Sequence, residues 1–233
     1  MAVSTELLSR FDILKTLSPD ALEQLASQSA LRKLARRGVA LNAGQQEEFL
    51  CFLFEGRLQG IDFTLDGREV GLYFVEPGEF CGEVGLFDQG PQPEYVMALA
   101  RSQVVMVPMA TLRQVMFESR PLMEALCARM AYRVRALTSH RGLLALPSVA
   151  QRVCGQLWML LQASAGRQDS PPLIQHPPTH QEMAIMLNLS RESVTRVFQT
   201  LQSRAVVQRD GNTRLLIPDA STLEALAKGD QEL

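Results

Sequence analysis

The stretch THQEMAIMLNLSRESVTRVFQTLQ, residues 179–202, predicts the fold of the C-terminal part of the chain. Thr179, with Glu182 three residues later, forms the pattern of a capping box, which predicts that a helix begins here. Asn188 stands where a left-handed backbone can turn the chain, and Ser190 can cap a second helix. Two helices joined by so short a turn are typical of a helix-turn-helix.

The second helix of this motif has two chemically different faces when its residues are spaced about 100° apart. The apolar face consists of Val194, Val197, Phe198 and Leu201, and the polar face consists of Arg191, Glu192, Thr195, Arg196 and Gln199. Arginine can donate two hydrogen bonds to guanine, and glutamate can accept one from cytosine. The pattern predicts a helix that reads DNA in the major groove. The alternative is a solvated face with a Glu192–Arg196 ion pair.

The elements around the motif support a winged domain. The segment VVQRDGNTRLLI, residues 206–217, predicts a hairpin that turns at its Asp-Gly step. Upstream, Pro147 ends a helix and Ser148 can cap the next one, over residues 149–163, so that a hinge is expected here. A loop over residues 164–178 then leads into the motif.

A long helix is predicted over residues 121–144. Its apolar positions alternate by four and three residues, which is typical of a coiled-coil seam. These positions are Met123, Cys127, Met130, Val134, Leu137 and Leu144, with Arg141 interrupting the series. The seam predicts dimerisation through this helix; the alternative is a helix packed on its own domain.

The predicted secondary structure changes from helix to strands along the N-terminal half. Leucines at roughly helical spacing predict helix over residues 6–37, with Ser18 as a cap. Residues 38–108 are short runs cut by glycine-bearing turns, and Asp66–Gly67 predicts a hairpin. Many short strands at this spacing predict an antiparallel sandwich or jelly roll.

These elements together predict an α+β chain of three parts. Residues 1–120 form an antiparallel jelly-roll domain, residues 121–146 the dimerisation helix and hinge, and residues 147–233 a winged helix-turn-helix domain. Charge supports two functions, because residues 1–118 carry 10 Lys and Arg against 16 Asp and Glu, whereas residues 148–218 carry seven Arg against four acidic residues.

Composition narrows the class of protein. The chain is 46% hydrophobic and 21% charged, as expected for a folded soluble protein. No apolar run approaches the ~20 residues of a membrane span, and the N-terminus lacks the pattern of a signal peptide. The four cysteines lie far apart without a CxxC pair, which favours reduced thiols in the cytoplasm and argues against a zinc site.

Two separated segments carry a family resemblance. Residues 179–202, and LDGREVGLYFVEPGEFCGEVGLF at residues 65–87, resemble the cyclic-AMP receptor protein and fumarate–nitrate regulator family of bacterial transcription factors. The resemblance implies a cyclic-nucleotide-binding-like roll and a homodimer that binds double-stranded DNA at a palindromic promoter site. It also implies RNA polymerase as a partner, and no membrane partner is expected.

The resemblance assigns roles within the DNA-binding motif. Arg191, Glu192 and Arg196 match the base-reading positions of the cyclic-AMP receptor branch, which reads TGTGA-type half-sites. Neighbouring polar side chains are expected to position the helix against phosphates: Thr179, His180 and Ser190. Thr195, on the polar face of the second helix, is also expected to take part in DNA binding. His180 stands where that branch has an arginine, and a histidine lacks that full charge at neutral pH.

The effector pocket departs from the family pattern. Gly82 and Glu83 are kept, but Pro93 and Glu94 replace the Arg-Ser pair that cradles the cyclic phosphate in nucleotide-binding relatives. In the long helix, the adenine-contacting threonine aligns with Leu137, beside Thr138. The departure predicts that cyclic AMP is not the ligand; the pocket is either vestigial or holds another nucleotide-type effector such as cyclic di-GMP.

Other chemistries find less support in the sequence. No nucleophile–base pair, metal-ligand spacing or phosphate loop indicates an enzyme, and the spacing of Glu83 and Glu94 cannot show that the two carboxylates face each other. The histidines lie outside the roll and no cysteine cluster precedes it, so neither haem nor an iron–sulfur cluster is expected. A nucleotide-binding module without a DNA function would not need the wing or the Arg–Glu face. The sequence therefore predicts a DNA-binding regulator and not an enzyme.

Overall fold

Residues 3–163, 172–211 and 213–233 are described by the structure, a computed structural model. The chain divides into two units, residues 1–136 and residues 137–233. The division falls inside the long helix, within the segment 121–146 that the sequence set apart as helix and hinge.

The first unit contains the predicted jelly roll, built from two four-stranded antiparallel sheets. The strands are β1 (Ala30–Leu34), β2 (Val39–Leu41), β3 (Phe49–Glu55), β4 (Leu58–Phe63), β5 (Glu69–Val75), β6 (Phe80–Cys81), β7 (Tyr95–Ala98) and β8 (Ser102–Pro108). One sheet has the order β1-β8-β3-β6 and the other β2-β7-β4-β5. Leu41, Leu58, Val75 and Val96 are fully buried between the sheets.

The predicted hairpin at Asp66–Gly67 joins β4 to β5. The strands stop at Phe63 and resume at Glu69, so the connection is longer than a two-residue turn. The amide of Gly67 donates to the Thr64 carbonyl at 2.8 Å, and the glycine takes φ +78°, which a side chain would oppose.

The N-terminal segment is helical over a shorter range than predicted. It contains α1 (Thr5–Leu8), a short 3₁₀ turn (Asp12–Leu14) and α2 (Pro19–Gln28), which Ser18 caps by accepting from the Ala21 amide. The prediction of helix to residue 37 is wrong beyond Gln28. Residues 30–34 instead form β1, because their backbone pairs with β8, which lies far along the chain.

Three helices complete the first unit. A short helix, α3 (Val84–Asp88), follows β6, and α4 (Met109–Glu118), which the sequence did not indicate, follows β8. The long helix α5 (Arg120–Leu144) begins within one residue of the predicted start. Its Leu122 and Leu126 are each 1% exposed and pack in the core with Leu8 and Phe11. One face of α5 is therefore packed on its own unit, as the alternative interpretation of this helix expected.

The second unit is the winged helix-turn-helix domain. Its further elements are α6 (Val149–Ala163), β9 (Leu173–Gln175), α7 (His180–Leu187), α8 (Arg191–Ser203), β10 (Gln208–Asp210), β11 (Arg214–Leu216) and α9 (Ala220–Lys228). The extent of α6 and the β10–β11 hairpin agree with the predictions. Part of the predicted loop, residues 164–171, lies outside the described residues, and its later part contains β9, which joins the wing in the order β10-β11-β9. The final helix, α9, packs on α6 and was not predicted.

Candidate functional site

The first helix of the motif begins and ends at the residues that the sequence indicated. The Thr179 hydroxyl accepts from the Glu182 amide at 3.2 Å, and the Glu182 carboxylate accepts from the Thr179 amide at 2.8 Å. Asn188 ends α7 in the left-handed region at φ 51° and ψ 50°. The Ser190 hydroxyl then accepts from the Ser193 amide at 3.1 Å and starts α8. These capping contacts lie where both helices start, and Asn188 lies where the chain turns between them.

The two faces of α8 differ in exposure as predicted. Val194, Val197, Phe198 and Leu201 are buried. Arg191, Glu192, Arg196 and Gln199 are exposed on the other side, and Thr195 is half-buried. The first two turns of α8 therefore present two guanidinium groups and one carboxylate to solvent.

His180 connects α7 to α8. The Thr195 hydroxyl donates to the Arg191 carbonyl at 2.9 Å, so its oxygen is left to accept from the Nδ1–H of His180, also at 2.9 Å. The imidazole ring stacks on Phe198 with ring centroids 4.6 Å apart. Burial, with Arg209 and Arg191 nearby, lowers the pKa of His180 below its usual value, which favours the neutral ring. His180 therefore positions α8 and does not supply the charge that an arginine would bring.

The wing adds basic groups that the sequence analysis did not assign. Arg209 lies on β10 and is exposed, and its charge acts on His180 together with that of Arg191 on α8. Arg214 on β11 pairs with Asp210 at 2.7 Å, so part of its charge is compensated. The hairpin pattern could have directed attention to Arg209, because an arginine on a wing is suited to contact phosphate.

The second candidate region is the predicted effector pocket of the roll, which begins at Gly82 and Glu83. Gly82 has φ +91°, and a Cβ there would lie 2.8 Å from Leu41 Cδ1, so only glycine fits without a shift. Glu83 follows at the start of α3 and is 1% exposed. Its Oε1 lies 3.5 Å from Arg133 Nε and 3.8 Å from Arg129 Nε, and neither carboxylate oxygen has a hydrogen-bond partner among the described residues.

Glu94 faces the same guanidinium group. Its carboxylate accepts a hydrogen bond from the Tyr73 hydroxyl and lies 3.4 Å from Arg133 Nη2. Arg133 stacks over the Tyr73 ring, with its Cζ 3.4 Å from the ring centroid. Burial raises the pKa of the Glu94 carboxyl, although Tyr73 and Arg133 oppose the shift, and burial also raises the pKa of Tyr73. Pro93 is exposed beside this group and has no N–H to donate.

Arg129 and Arg133 are the site residues that the sequence analysis missed. Arg129 Nη1 pairs with Glu79 at 3.1 Å, so three carboxylates, from Glu79, Glu83 and Glu94, surround two guanidinium groups. The sequence contained a pattern that could have identified them, because the two arginines continue the row of Leu122 and Leu126 along α5 with steps of three and four residues. That row is the face of α5 that packs on the roll.

The remaining predicted positions lie on α5. Leu137 and Thr138 are exposed and belong to the second unit. Along the predicted seam, Cys127 is exposed as a free thiol, Val134 and Leu137 are exposed, and Met123 contacts the core of its own unit. The roles of these residues in a pocket or a dimer remain predictions.

The described residues include no group of three or more His, Cys, Asp and Glu side chains that could hold a metal ion. Within the same ranges, every helix is too short or too polar to cross a lipid bilayer. The four cysteines are free thiols, and burial raises the pKa of Cys154 to about 12.

Comparisons with known proteins match a family model to each of the two candidate regions. Residues 31–119 match the model of a cyclic nucleotide-binding domain, and residues 151–226 match a Crp-like helix-turn-helix domain. The cAMP-activated global transcriptional regulator Vfr of Pseudomonas aeruginosa is 28% identical over 84% of this chain and 92% of its own length.

Two solved structures share the fold. FixK2 from Bradyrhizobium japonicum has a TM-score of 0.73 and 17% identity, and the match covers 85% of this chain and 96% of that one. The c-di-GMP responsive global regulator CLP of Xanthomonas campestris has a TM-score of 0.65 and 23% identity over 86% of this chain and 99% of that one. The relatives are transcription regulators, which agrees with the prediction that the protein is not an enzyme. The chain therefore belongs to the CRP/FNR family of DNA-binding transcription regulators, with a cyclic nucleotide-binding domain followed by a Crp-like helix-turn-helix domain.

Proposed function

We propose that the protein is a homodimeric regulator that reads a palindromic promoter site with TGTGA-like half-sites. The observation that carries this proposal is the row of Arg191, Glu192 and Arg196 on the first turns of α8, opposite a buried apolar face. In helix-turn-helix proteins the N-terminal part of the second helix contacts base edges. Two guanidinium groups and one carboxylate match guanine and cytosine, the bases that such a half-site presents. A role at promoters implies RNA polymerase as a further partner.

The remaining polar groups have positioning roles in this proposal. Thr179 and Ser190 lie at helix N-termini, where hydroxyl and amide groups are suited to meet phosphate oxygens. Arg209 on the wing contacts a neighbouring phosphate. His180 and Thr195 hold α8 at its angle to α7, so they act on DNA through the recognition helix.

Dimerisation is assigned to α5. The side chains of Val134 and Leu137 are 60% and 45% exposed, which is high for large apolar residues, and Cys127 is exposed on the same face. That face lies next to the row that buries Leu122 and Leu126 in the roll, and its first residue, Met123, packs against the same core. A second copy of α5, laid along this face, would cover the exposed residues at coiled-coil spacing.

Cyclic AMP is not the effector in this proposal. A cyclic phosphate needs cationic or N–H donors, whereas the pocket places Glu94 beside Arg133 and offers a proline as its neighbour. A nucleotide of another class is the second candidate, because the carboxylate of Glu83 is buried and accepts no hydrogen bond within the described residues. Cyclic di-GMP, to which the Xanthomonas regulator CLP responds, is the first to test.

A gel-shift titration of the full chain tests the proposed function. The DNA is a duplex with two TGTGA half-sites in palindromic arrangement, and the control duplex has the half-sites scrambled. We expect specific retardation of the palindrome, unaffected by cyclic AMP, with cyclic di-GMP added in a separate series. Equal binding of both duplexes under all conditions would contradict the proposal.

A further inference from the structure

The predicted effector pocket of the roll includes a guanidinium group, that of Arg133, which is already paired with carboxylates of the protein. The side chain of Arg133 is 11% exposed, that of Glu94 6% and that of Glu83 1%. A buried guanidinium needs acceptors, because removing its charge from water without partners is costly. Glu94 supplies one at 3.4 Å, and the Tyr73 ring covers the flat face of the same group.

The charge of the cluster favours Glu94 over a bound anion as the partner of Arg133. Three carboxylates, from Glu79, Glu83 and Glu94, already face the two guanidinium groups of Arg129 and Arg133. A phosphate bound beside Arg133 would add a further negative charge to a site that carries an excess of it. An anionic ligand therefore has to displace Glu94, which is itself buried and held by Tyr73.

The two partners belong to different layers of the first unit. Glu94 directly precedes β7 of the roll, whereas Arg133 lies on α5, which continues past residue 136 into the second unit. We propose that Glu94 is a built-in anion that holds α5 on the roll through Arg133, so that the protein binds DNA without an added effector. This inference extends the proposed function, since DNA binding is one of its two readouts.

The first test measures the link itself, without DNA. Amide hydrogen exchange over residues 120–136 is compared in the wild type, in Glu94→Gln and in Glu79→Gln. Glutamine keeps the shape of the Glu94 side chain but not its charge. Glu79 is the matched control because its carboxylate pairs with Arg129 and not with Arg133. We expect exchange in this segment to rise at least tenfold in Glu94→Gln and to change little in Glu79→Gln. Equal exchange in all three proteins would overturn the inference.

The second test asks whether an anion is what the site requires. In Glu94→Ser, we expect exchange over residues 120–136 to rise as in Glu94→Gln. Acetate at tens of millimolar should then restore protection, while the same concentration of chloride should not. Absence of rescue in a variant that melts like the wild type would show that Glu94 acts by shape, and this would also overturn the inference.

DNA affinity gives the functional readout. Fluorescence anisotropy on the TGTGA palindrome, without any nucleotide, should show tight binding by the wild type and at least tenfold weaker binding by Glu94→Gln. Equal affinities would contradict the claim that this link supports DNA binding. If the wild type binds no palindrome at all, the proposed function fails, and the exchange measurements still decide whether Glu94 holds α5.

Discussion

His180 Nδ1 lies 2.9 Å from Thr195 Oγ1, and this hydrogen bond joins the two helices of the DNA-binding motif. The Thr195 hydroxyl has its only hydrogen engaged with the Arg191 carbonyl, so the histidine must be the donor. The pair sits directly behind the exposed residues of α8. Protonation would place a second proton and a positive charge at the buried Nε2, which has no hydrogen-bond partner among the described residues, and would leave the Nδ1 hydrogen bond in place.

The first prediction concerns pH. Burial, Arg209 and Arg191 lower the pKa of His180 in the folded protein below the ordinary 6.5. Between these two pKa values the unfolded chain binds the proton more readily than the folded protein does. The stability that neutral His180 contributes is therefore fully present above the unfolded pKa of 6.5 and is lost as pH falls through the folded pKa. Urea unfolding followed by the fluorescence of Trp158, the single tryptophan, should show this loss between pH 7.5 and 5.5. His180→Gln should show a smaller loss; an equal loss in both proteins would mean that His180 is not responsible.

The second prediction concerns the dimer. Cys127 is exposed at a seam position of α5, and in a parallel two-stranded seam the same residue of the two chains comes face to face. Mild oxidation should therefore give a disulfide-linked dimer on a non-reducing gel, and Cys127→Ser should abolish it. The other three thiols are buried and act as internal controls. A linked dimer that persists in Cys127→Ser, or none in the wild type, would contradict the seam.

The same seam can be broken by charge. Replacing Met130 and Leu137 with aspartate would place unpaired charges along the dimer face, and each such charge is costly when buried. Sedimentation at micromolar concentration should show a monomer for the double variant. The control variant replaces Arg135 and Ser139, two exposed residues of α5 outside the seam, with aspartate. We expect this variant to remain a dimer.

Cyclic AMP should bind weakly or not at all. Glu94 already occupies Arg133, and Pro93 donates no hydrogen bond, so the cyclic phosphate lacks a partner. Calorimetry should detect no binding at micromolar concentrations in the wild type, whereas Pro93→Arg combined with Glu94→Ser should gain measurable affinity. A micromolar or tighter dissociation constant for the wild type would refute this part of the account.

The parts of the fold that could be predicted are those that depend on short-range sequence patterns. The caps at Thr179 and Ser190 and the left-handed Asn188 are each decided by a few adjacent residues, and all three are found as expected. Residues 30–34 were misassigned because their strand depends on a partner in β8 far along the chain. Neither helix nor strand periodicity contains that information.

The pocket was only partly predictable for the same reason. Gly82, Glu83, Pro93 and Glu94 stand close together in the sequence, and the departure of Pro93 and Glu94 from the family pattern was visible there. The main partner of Glu83 and Glu94 is Arg133, which lies 39 positions beyond Glu94. A carboxylate that repels a ligand phosphate was foreseeable, but its pairing with a guanidinium of α5 depends on how the helix packs on the roll.

The central claim is that Arg191, Glu192 and Arg196 read bases. Losing one bidentate arginine–guanine pair should cost about 1–3 kcal/mol and relax the choice at one position, whereas losing a phosphate contact such as Arg209 should weaken all sites alike and lower the salt slope by about one. Glu192 separates the two behaviours best, because a carboxylate close to DNA is repelled unless it accepts from a base.

Selection of binding sites from random DNA, with the wild type, Glu192→Ala and Arg209→Ala in parallel, tests this claim most directly. We predict a TGTGA-like palindrome for the wild type, the same palindrome for Arg209→Ala at lower affinity, and lost discrimination at one base pair of each half-site for Glu192→Ala. An unchanged preferred site in Glu192→Ala would contradict the account and would mean that this face of α8 is only solvated.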